Sequence, residues 1–459
     1  MRAFRLSDAD LVALAAGRPS PGVLGELRKA QLSRHLLELR ATGTVPSWYA
    51  DPRTRSRLAD PMTALHTAAT RSARRAGAPP PAEQVLSARR LTTEHHGLIL
   101  RVRLEDTDPL RDQLGLTPMP RLDDDAAAAW QHQLDQAWRL LVDRHRPAAE
   151  TLAAVVSVIV PVEPDPGAGG ISATSAEAYG AVAISPPADP ASLAVGLLHE
   201  AQHSLLNAVH FLFELVRPAG PAGYSPWRDD PRPPLGILHG AYAYLAVTRF
   251  WRTEADRSAI AAFEFARWRA AVPAAAAELL AGDALTAAGR RFAGAVRAEV
   301  AQWLAEPVDA EVARLADGAN IDHRVRWRLR NLAIDPATIA AVAAAWRAGA
   351  PPPRLPVPTV RAAPGRALEH SDRLTMAHRL LRGRGFAGHP PGDDAYFRGD
   401  HEAAFAAFLK EATAGDDAAW SGLALVAPHP AFRERPELVR AVWPALPGVE
   451  LPALAAWLS

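Results

Sequence analysis

The chain has 459 residues, 49% of them apolar and none a cysteine, so it can bury a sizeable core but has no disulfide, thiolate metal centre, iron–sulfur cluster or cysteine nucleophile. Its 51 basic and 50 acidic side chains leave a formal charge of +1, which argues against a nucleic-acid or other polyanion partner and favours a small-molecule or peptide ligand. Any metal bound here must be held by nitrogen and oxygen.

The first eight residues lack the apolar centre of a secretory signal, and the longest largely apolar run, 152–160, is too short to span a bilayer. A cytoplasmic protein with no membrane partner is the expectation. The spacing of Leu11, Leu14, Val23, Leu27, Leu32, Leu36 and Leu39 is helical, with a break from Gly17 to Pro21, which predicts two helices within 7–44. Residues 46–61 read as a loop, and 63–75 as a short helix before the break at Pro79-Pro80-Pro81. His95 and His96 precede a strand at 98–104. Neighbours in a strand face opposite sides, so this pair is expected to serve a structural or surface role rather than a second metal site.

Asp123-Asp124-Asp125 opens a helix carrying Trp130, Leu134, Trp138 and Leu141 to about His145, its carboxylates complementing the helix dipole. Residues 155–162 read as a buried strand. The segment 171–185 reads as a loop feeding a second strand, and together these predict a small sheet.

The central feature is His199-Glu200-Ala201-Gln202-His203, an H-E-x-x-H pentapeptide in a long apolar helical pattern. Asp189 is placed to cap that helix with Pro190 at its first position, and the pattern runs to Val216 before Pro218 and Gly220. Residues four apart on a helix lie one above the other, so His199 and His203 can aim at one ion. Glu200, about 100° further round, can reach a metal-bound water or orient a ligand. Burying two imidazoles and a carboxylate among apolar side chains costs several kcal/mol unless something satisfies them, and a divalent metal does so most directly.

Residues 224–234 read as a proline-stiffened loop containing Arg228 and Arg232. A second helix, 235–252, follows, with His239 in its first turn, where the dipole favours the neutral imidazole a metal requires. Gly236, Gly240 and Ala243 would let this helix approach another closely. His239 is thus the leading third ligand, a core or capping histidine being the other reading. Glu214, Glu177 and Asp229 are the carboxylate alternatives. Glu214 stands roughly 16 Å along the helix from His203, which disfavours it, and His210, roughly 10 Å on, is assigned to lining or packing the pocket. Neither the H-x-x-G-x-x-H extension nor the downstream glutamate of common zinc peptidases is evident.

Further helices are predicted at 263–280, 285–306 and 335–347, with the basic stretch 322–330 between them as a solvated face. Prolines from Pro351 to Pro364 suggest a stiff linker. Beyond it, 396–405 and 419–424 resemble a single tetratricopeptide-like hairpin. The expected fold class is α+β, predominantly α-helical, with a gluzincin-like metal helix beside a small β-sheet and a helical C-terminal tail. The expected organisation is a metal-dependent catalytic region over 1–349 that includes N-terminal helices in 1–90, a proline-rich linker over 350–368, and the tail over 369–459.

The pentapeptide, the Ser172-Ala173-Thr174-Ser175 to Ser185 segment, the Trp227-Arg228 to Pro233 loop and the Leu238-His239-Gly240 helix start together resemble the HExxH-motif peptide-modification proteins encoded beside ribosomally made peptides. The similarity extends over most of 1–345. It implies an iron(II)- and 2-oxoglutarate-dependent β-hydroxylase acting on a precursor peptide, with His199, His203 and His239 as metal ligands and Glu200 orienting a ligand or water. It also implies a guanidinium for the distal carboxylate of 2-oxoglutarate: Arg228 or Arg232, with Arg326 and Arg328 in reserve. A plain ion pair with Asp229 or Asp230 is the alternative for those arginines. Two other functions compete with this reading: a zinc peptidase with Glu200 as general base, and a non-catalytic peptide-binding scaffold with a structural metal.

Overall fold

The computed structural model describes residues 4–43, 57–218, 220–361, 371–385 and 389–459. Most of the loop expected at 46–61, and the end of the linker expected at 350–368, lie outside the described residues. The chain divides into two units, the first comprising Met1–Pro218, Leu238–Thr253 and Ala276–Val300, the second Ala219–Ile237, Glu254–Ala275 and Ala301–Ser459.

In the first unit, α1 (Asp8–Ala15), α2 (Pro21–Ala41) and α3 (Pro61–Arg75) begin at side-chain caps from Ser7, Ser20 and Asp60, the last two followed by proline at the first helical position. Strands β1 (Arg90–His95) and β2 (Leu98–Leu104) form an antiparallel hairpin. Helices α4 (Asp124–Arg144) and α5 (Arg146–Val155) lead to β3 (Val158–Pro161), β4 (Ser172–Ala173) and β5 (Ala181–Ile184). The five strands form one sheet in the order β1-β2-β3-β5-β4, with β2, β3 and β5 parallel. Every residue of β3 and β5 is buried, which explains their unbroken apolar sequence. Val158, Val160, Ala181 and Ala183 share a core with Met62 and Leu65 of α3.

The helix α6 (Pro190–Leu212), which carries the pentapeptide, packs on α2, α4 and α5 and touches β4 and β5. It ends four residues earlier than its apolar pattern suggested. Phe213 turns to an extended conformation, and the chain beyond pairs with a distant segment, Thr286 donating to the Leu215 carbonyl and Arg217 to that of Ala284. Apolar character there reflects burial by strand-like pairing rather than helix. Nor was α5 foreseen, because its ten residues merge with the apolar run of β3.

The expected loop at 224–234 is a two-stranded hairpin, β6 (Gly223–Ser225) with β7 (Arg228–Arg232). It leads into α7 (Pro234–Glu254), of which residues 238–253 belong to the first unit. There Tyr242 is fully buried and donates to the Leu14 carbonyl, while Arg249 donates to the carbonyls of Ala16 and Gly17. Helices α8 (Ala259–Ala281) and α9 (Ala287–Ala301) follow.

The second unit is built on α10 (Ala310–Asn331). The basic stretch 322–330, expected between helices, is the C-terminal half of this helix. Asp322, Val325, Trp327 and Leu329 are buried between its arginines, and Arg328 pairs with Glu437. A single apolar core runs from Phe263 through Val312 and Leu315 to Leu458. The C-terminal helices bury their apolar faces against α10, and the second unit takes in residues on both sides of the prolines of 350–368. Within that core, His401–Thr413 packs against both Pro391–Phe397 and Asp417–Val426, and the first arm expected at 396–405 is interrupted by a turn at Arg398-Gly399-Asp400. Among the described residues no helix is long and apolar enough to cross a membrane.

Candidate metal centre

Asp189 caps α6 by accepting from the Ser192 amide at 2.8 Å, and Pro190 fills the first position. Leu193, Leu197, Leu198, Ala201, Leu205 and Leu206 are buried, which sets the rotation of the helix and leaves His199 and His203 on a common, partly accessible face. Their Nε2 atoms stand 3.0 Å apart, with the ring planes at 82°. Two nitrogens each about 2.0–2.1 Å from one ion would have such a separation. The ring of Tyr244, on α7, meets that of His199 edge-on at 5.4 Å.

His239, the sixth residue of α7, comes beside His203 but is not among the residues whose donor atoms gather within 4.8 Å of one another there. Its Nδ1 lies 3.1 Å from Nδ1 of His203. His203 therefore faces His199 with one nitrogen and His239 with the other. An ion takes only one nitrogen of a ring, so drawing all three imidazoles onto one ion calls for a turn of His203 or His239 about its side-chain bonds. Burial pushes the His199 imidazole down to about 4. Burial, then the neighbouring imidazoles His199 and His239, hold His203 well below the ordinary histidine range. Both rings are thus neutral at pH 7, the form in which histidine ligates a metal.

Glu200 is only 1% exposed. Its Oε1 accepts a 2.6 Å hydrogen bond from Ser172 Oγ of β4 and lies 3.9 Å from His199 Nε2. Burial pushes its carboxyl up to about 7, opposed by hydrogen bonds from Ser172 and Thr174. Oε2 is buried with no partner. An orphaned carboxylate oxygen next to two neutral imidazoles suits a divalent cation or a proton-bearing ligand on one. The candidate donor atoms of His199, Glu200 and His203 all lie within 4.8 Å of one another, and among the described residues no other carboxylate joins that group.

The carboxylate alternatives for the third ligand stand outside this group. Glu177 pairs with Arg34 of α2, and Asp229, in the second unit, approaches His323 at 3.4 Å. Glu214 lies beyond the end of α6. His210 closes the helix, its Nδ1 accepting from the Leu215 amide at 3.4 Å.

Arg228 and Arg232 belong to β7 in the second unit, and both hold Asp230, through Oδ1 at 2.8 Å and Oδ2 at 3.2 Å. Burial would raise the Asp230 carboxyl, but the two guanidiniums outweigh it and keep it below the usual range. Arg326 lies 4.0 Å from Asp322, and Arg328 grips Glu437 through two nitrogens at 2.9 and 2.5 Å. All four candidate arginines thus face a carboxylate of the chain itself.

Ser172, Thr174 and Tyr244 acquire roles at the centre that their residue types did not announce. The available signal was the alternation of two hydroxyl residues, Ser172 and Thr174, in the segment read as a loop, which in an extended chain puts both on one face. Comparison with protein-family models gives no match, and no curated protein is significantly similar to the chain.

Proposed function

We propose that this protein is an iron(II)- and 2-oxoglutarate-dependent hydroxylase of a β-carbon in a ribosomally synthesised precursor peptide. The supporting observation is the run of three imidazoles, His199, His203 and His239, on α6 and α7, with Glu200 the carboxylate that, among the described residues, joins the first two. A gluzincin peptidase uses its pentapeptide together with a separate glutamate ligand, and the gluzincin likeness proposed here is confined to the α6 segment. The motif resemblance of the Ser172–Ser185 and Leu238–Gly240 segments supports the oxygenase over the peptidase.

Iron(II) with dioxygen and 2-oxoglutarate supplies a two-electron oxidation in which one oxygen atom enters a C–H bond and the other leaves in succinate, with loss of carbon dioxide. The chain's own contribution is positional. His199, His203 and His239 would hold the ion as neutral donors, with no proton to expel from the first two at pH 7. Ser172 holds Oε1 of Glu200, leaving Oε2 to accept from a ligand on the ion. Tyr244 braces the His199 ring.

The test is anaerobic loading of the full chain with iron(II), followed by 2-oxoglutarate, air and the peptide encoded beside its gene. Succinate equimolar with a peptide one oxygen atom heavier is the expected result. Cleavage of the peptide by zinc-loaded protein without 2-oxoglutarate would establish the peptidase instead. Peptide binding retained by a metal-free His199→Ala variant, with no turnover in the parent, would establish the scaffold.

A further inference from the structure

The β1–β2 hairpin closes on His96-Gly97, with φ of 44° and 73°. A two-residue turn with positive φ at both positions is the hairpin connection that best matches strand twist, and it favours Asn-Gly, Asp-Gly or Gly-Gly. His96 is the one non-glycine residue with positive φ among the described residues. An imidazole there carries a conformational cost that asparagine or glycine would reduce.

The turn has a consequence for the two side chains. Alternation along a strand puts His95 and His96 on opposite faces, but the reversal at His96 brings their ring centroids to 4.1 Å, the planes tilted at 43°. Both Nε2 atoms then reach the same oxygen of Asp143, in the last turn of α4, His95 at 2.7 Å and His96 at 3.4 Å from Oδ1. The candidate donor atoms of the three residues lie within 4.8 Å of one another. Their side chains are 25%, 70% and 47% exposed, so an ion can enter from solvent and complete its shell with water. Arg146, at the start of α5, donates to the His96 carbonyl at 3.1 Å and fixes the turn from below, while its own charge is paired with Glu150 at 3.1 Å.

We propose that His95, His96 and Asp143 form a second, surface metal site, separate from the α6 centre, that takes a borderline divalent ion such as zinc, nickel or copper and clamps the β1–β2 turn to α4. Two imidazole nitrogens and one carboxylate oxygen are a donor set for such ions rather than for magnesium or calcium. The site accounts for the choice of histidine at a position where turn geometry alone selects asparagine.

The experiment is calorimetric titration of the tag-free full chain with nickel(II) at pH 7.5, in the parent and in a His199→Ala/His203→Ala background, with thermal melting alongside. The background variant is expected to bind one ion and to melt higher with nickel present. Adding His96→Asn, which suits the turn and keeps the fold, or Asp143→Asn is expected to weaken that binding by roughly tenfold or more and to abolish the melting shift. No binding in the background variant, or binding unchanged by His96→Asn and Asp143→Asn, would overturn the proposal.

Discussion

Ser172 donates a 2.6 Å hydrogen bond to Glu200, joining the short edge strand β4 to the helix that carries the pentapeptide. Removing one partner of a buried hydrogen bond leaves the other unsatisfied. Ser172→Ala is therefore expected to cost about 1–3 kcal/mol, read by urea denaturation of the protein stripped of metal. Glu200→Gln, which keeps an acceptor for Ser172 without a buried charge, is expected to be at least as stable as the parent in the same measurement.

The order of metal affinities among histidine variants tests how the three rings share an ion. His203 touches both other rings, His199 through Nε2 and His239 through Nδ1. His199→Ala and His203→Ala are expected to lose the tight ion altogether, whereas His239→Ala, which leaves the α6 pair intact, should retain weakened binding. Elemental analysis after dialysis against competing chelator gives the comparison. Equal retention in His239→Ala and the parent would remove His239 from the ligand set.

In the second unit one guanidinium serves two buried carboxylates. Arg373 donates to Asp322 at 2.8 Å and to Asp393 at 2.5 Å. Burial raises the Asp322 carboxyl, but the charges of Arg373 and Arg326, with hydrogen bonds, outweigh it, and the group sits below its ordinary value. For Asp393 burial prevails over Arg373 and the group sits above it. The signs differ accordingly. Stability contributed by Asp322 is complete above its unfolded pKa of about 3.9 and is lost as pH falls through the lower folded value. The contribution of Asp393 is complete below its unfolded pKa and is lost as pH rises through the higher folded value. Asp322→Asn should flatten the acid limb of a stability profile, and Asp393→Asn should flatten the opposing slope at higher pH. Arg373→Met, which strands both carboxylates, should cost about 3–5 kcal/mol.

Gly289, near the start of α9, lies where a side chain would strike main chain rather than a movable neighbour. A Cβ there would be 1.9 Å from the Leu215 carbonyl oxygen, the atom that accepts from Thr286. Gly289→Ala is expected to destabilise the protein by about 1–3 kcal/mol. Gly294→Ala on the same helix, where nothing lies within 4 Å, should stabilise it by about 0.5–1 kcal/mol. Melting temperatures of the two variants make the comparison.

The sequence by itself determined the elements whose signals are local. Asp189 and Pro190 mark the start of α6, Asp123 that of α4, and the four-residue spacing of His199 and His203 puts both on one helical face; each of these depends on residues within a turn or two. What only the tertiary structure decided is where distant segments meet. It brought Ser172 to Glu200, Tyr244 to His199 and Asp143 to two histidines thought to diverge. It also turned the apolar residues after Leu212 from helix into a strand-like pairing and carried the C-terminal helices into one core with α10. Hydrophobic periodicity states that a face is buried but not against what, so partners, element ends set by those partners, and the division of the chain into units all follow from packing.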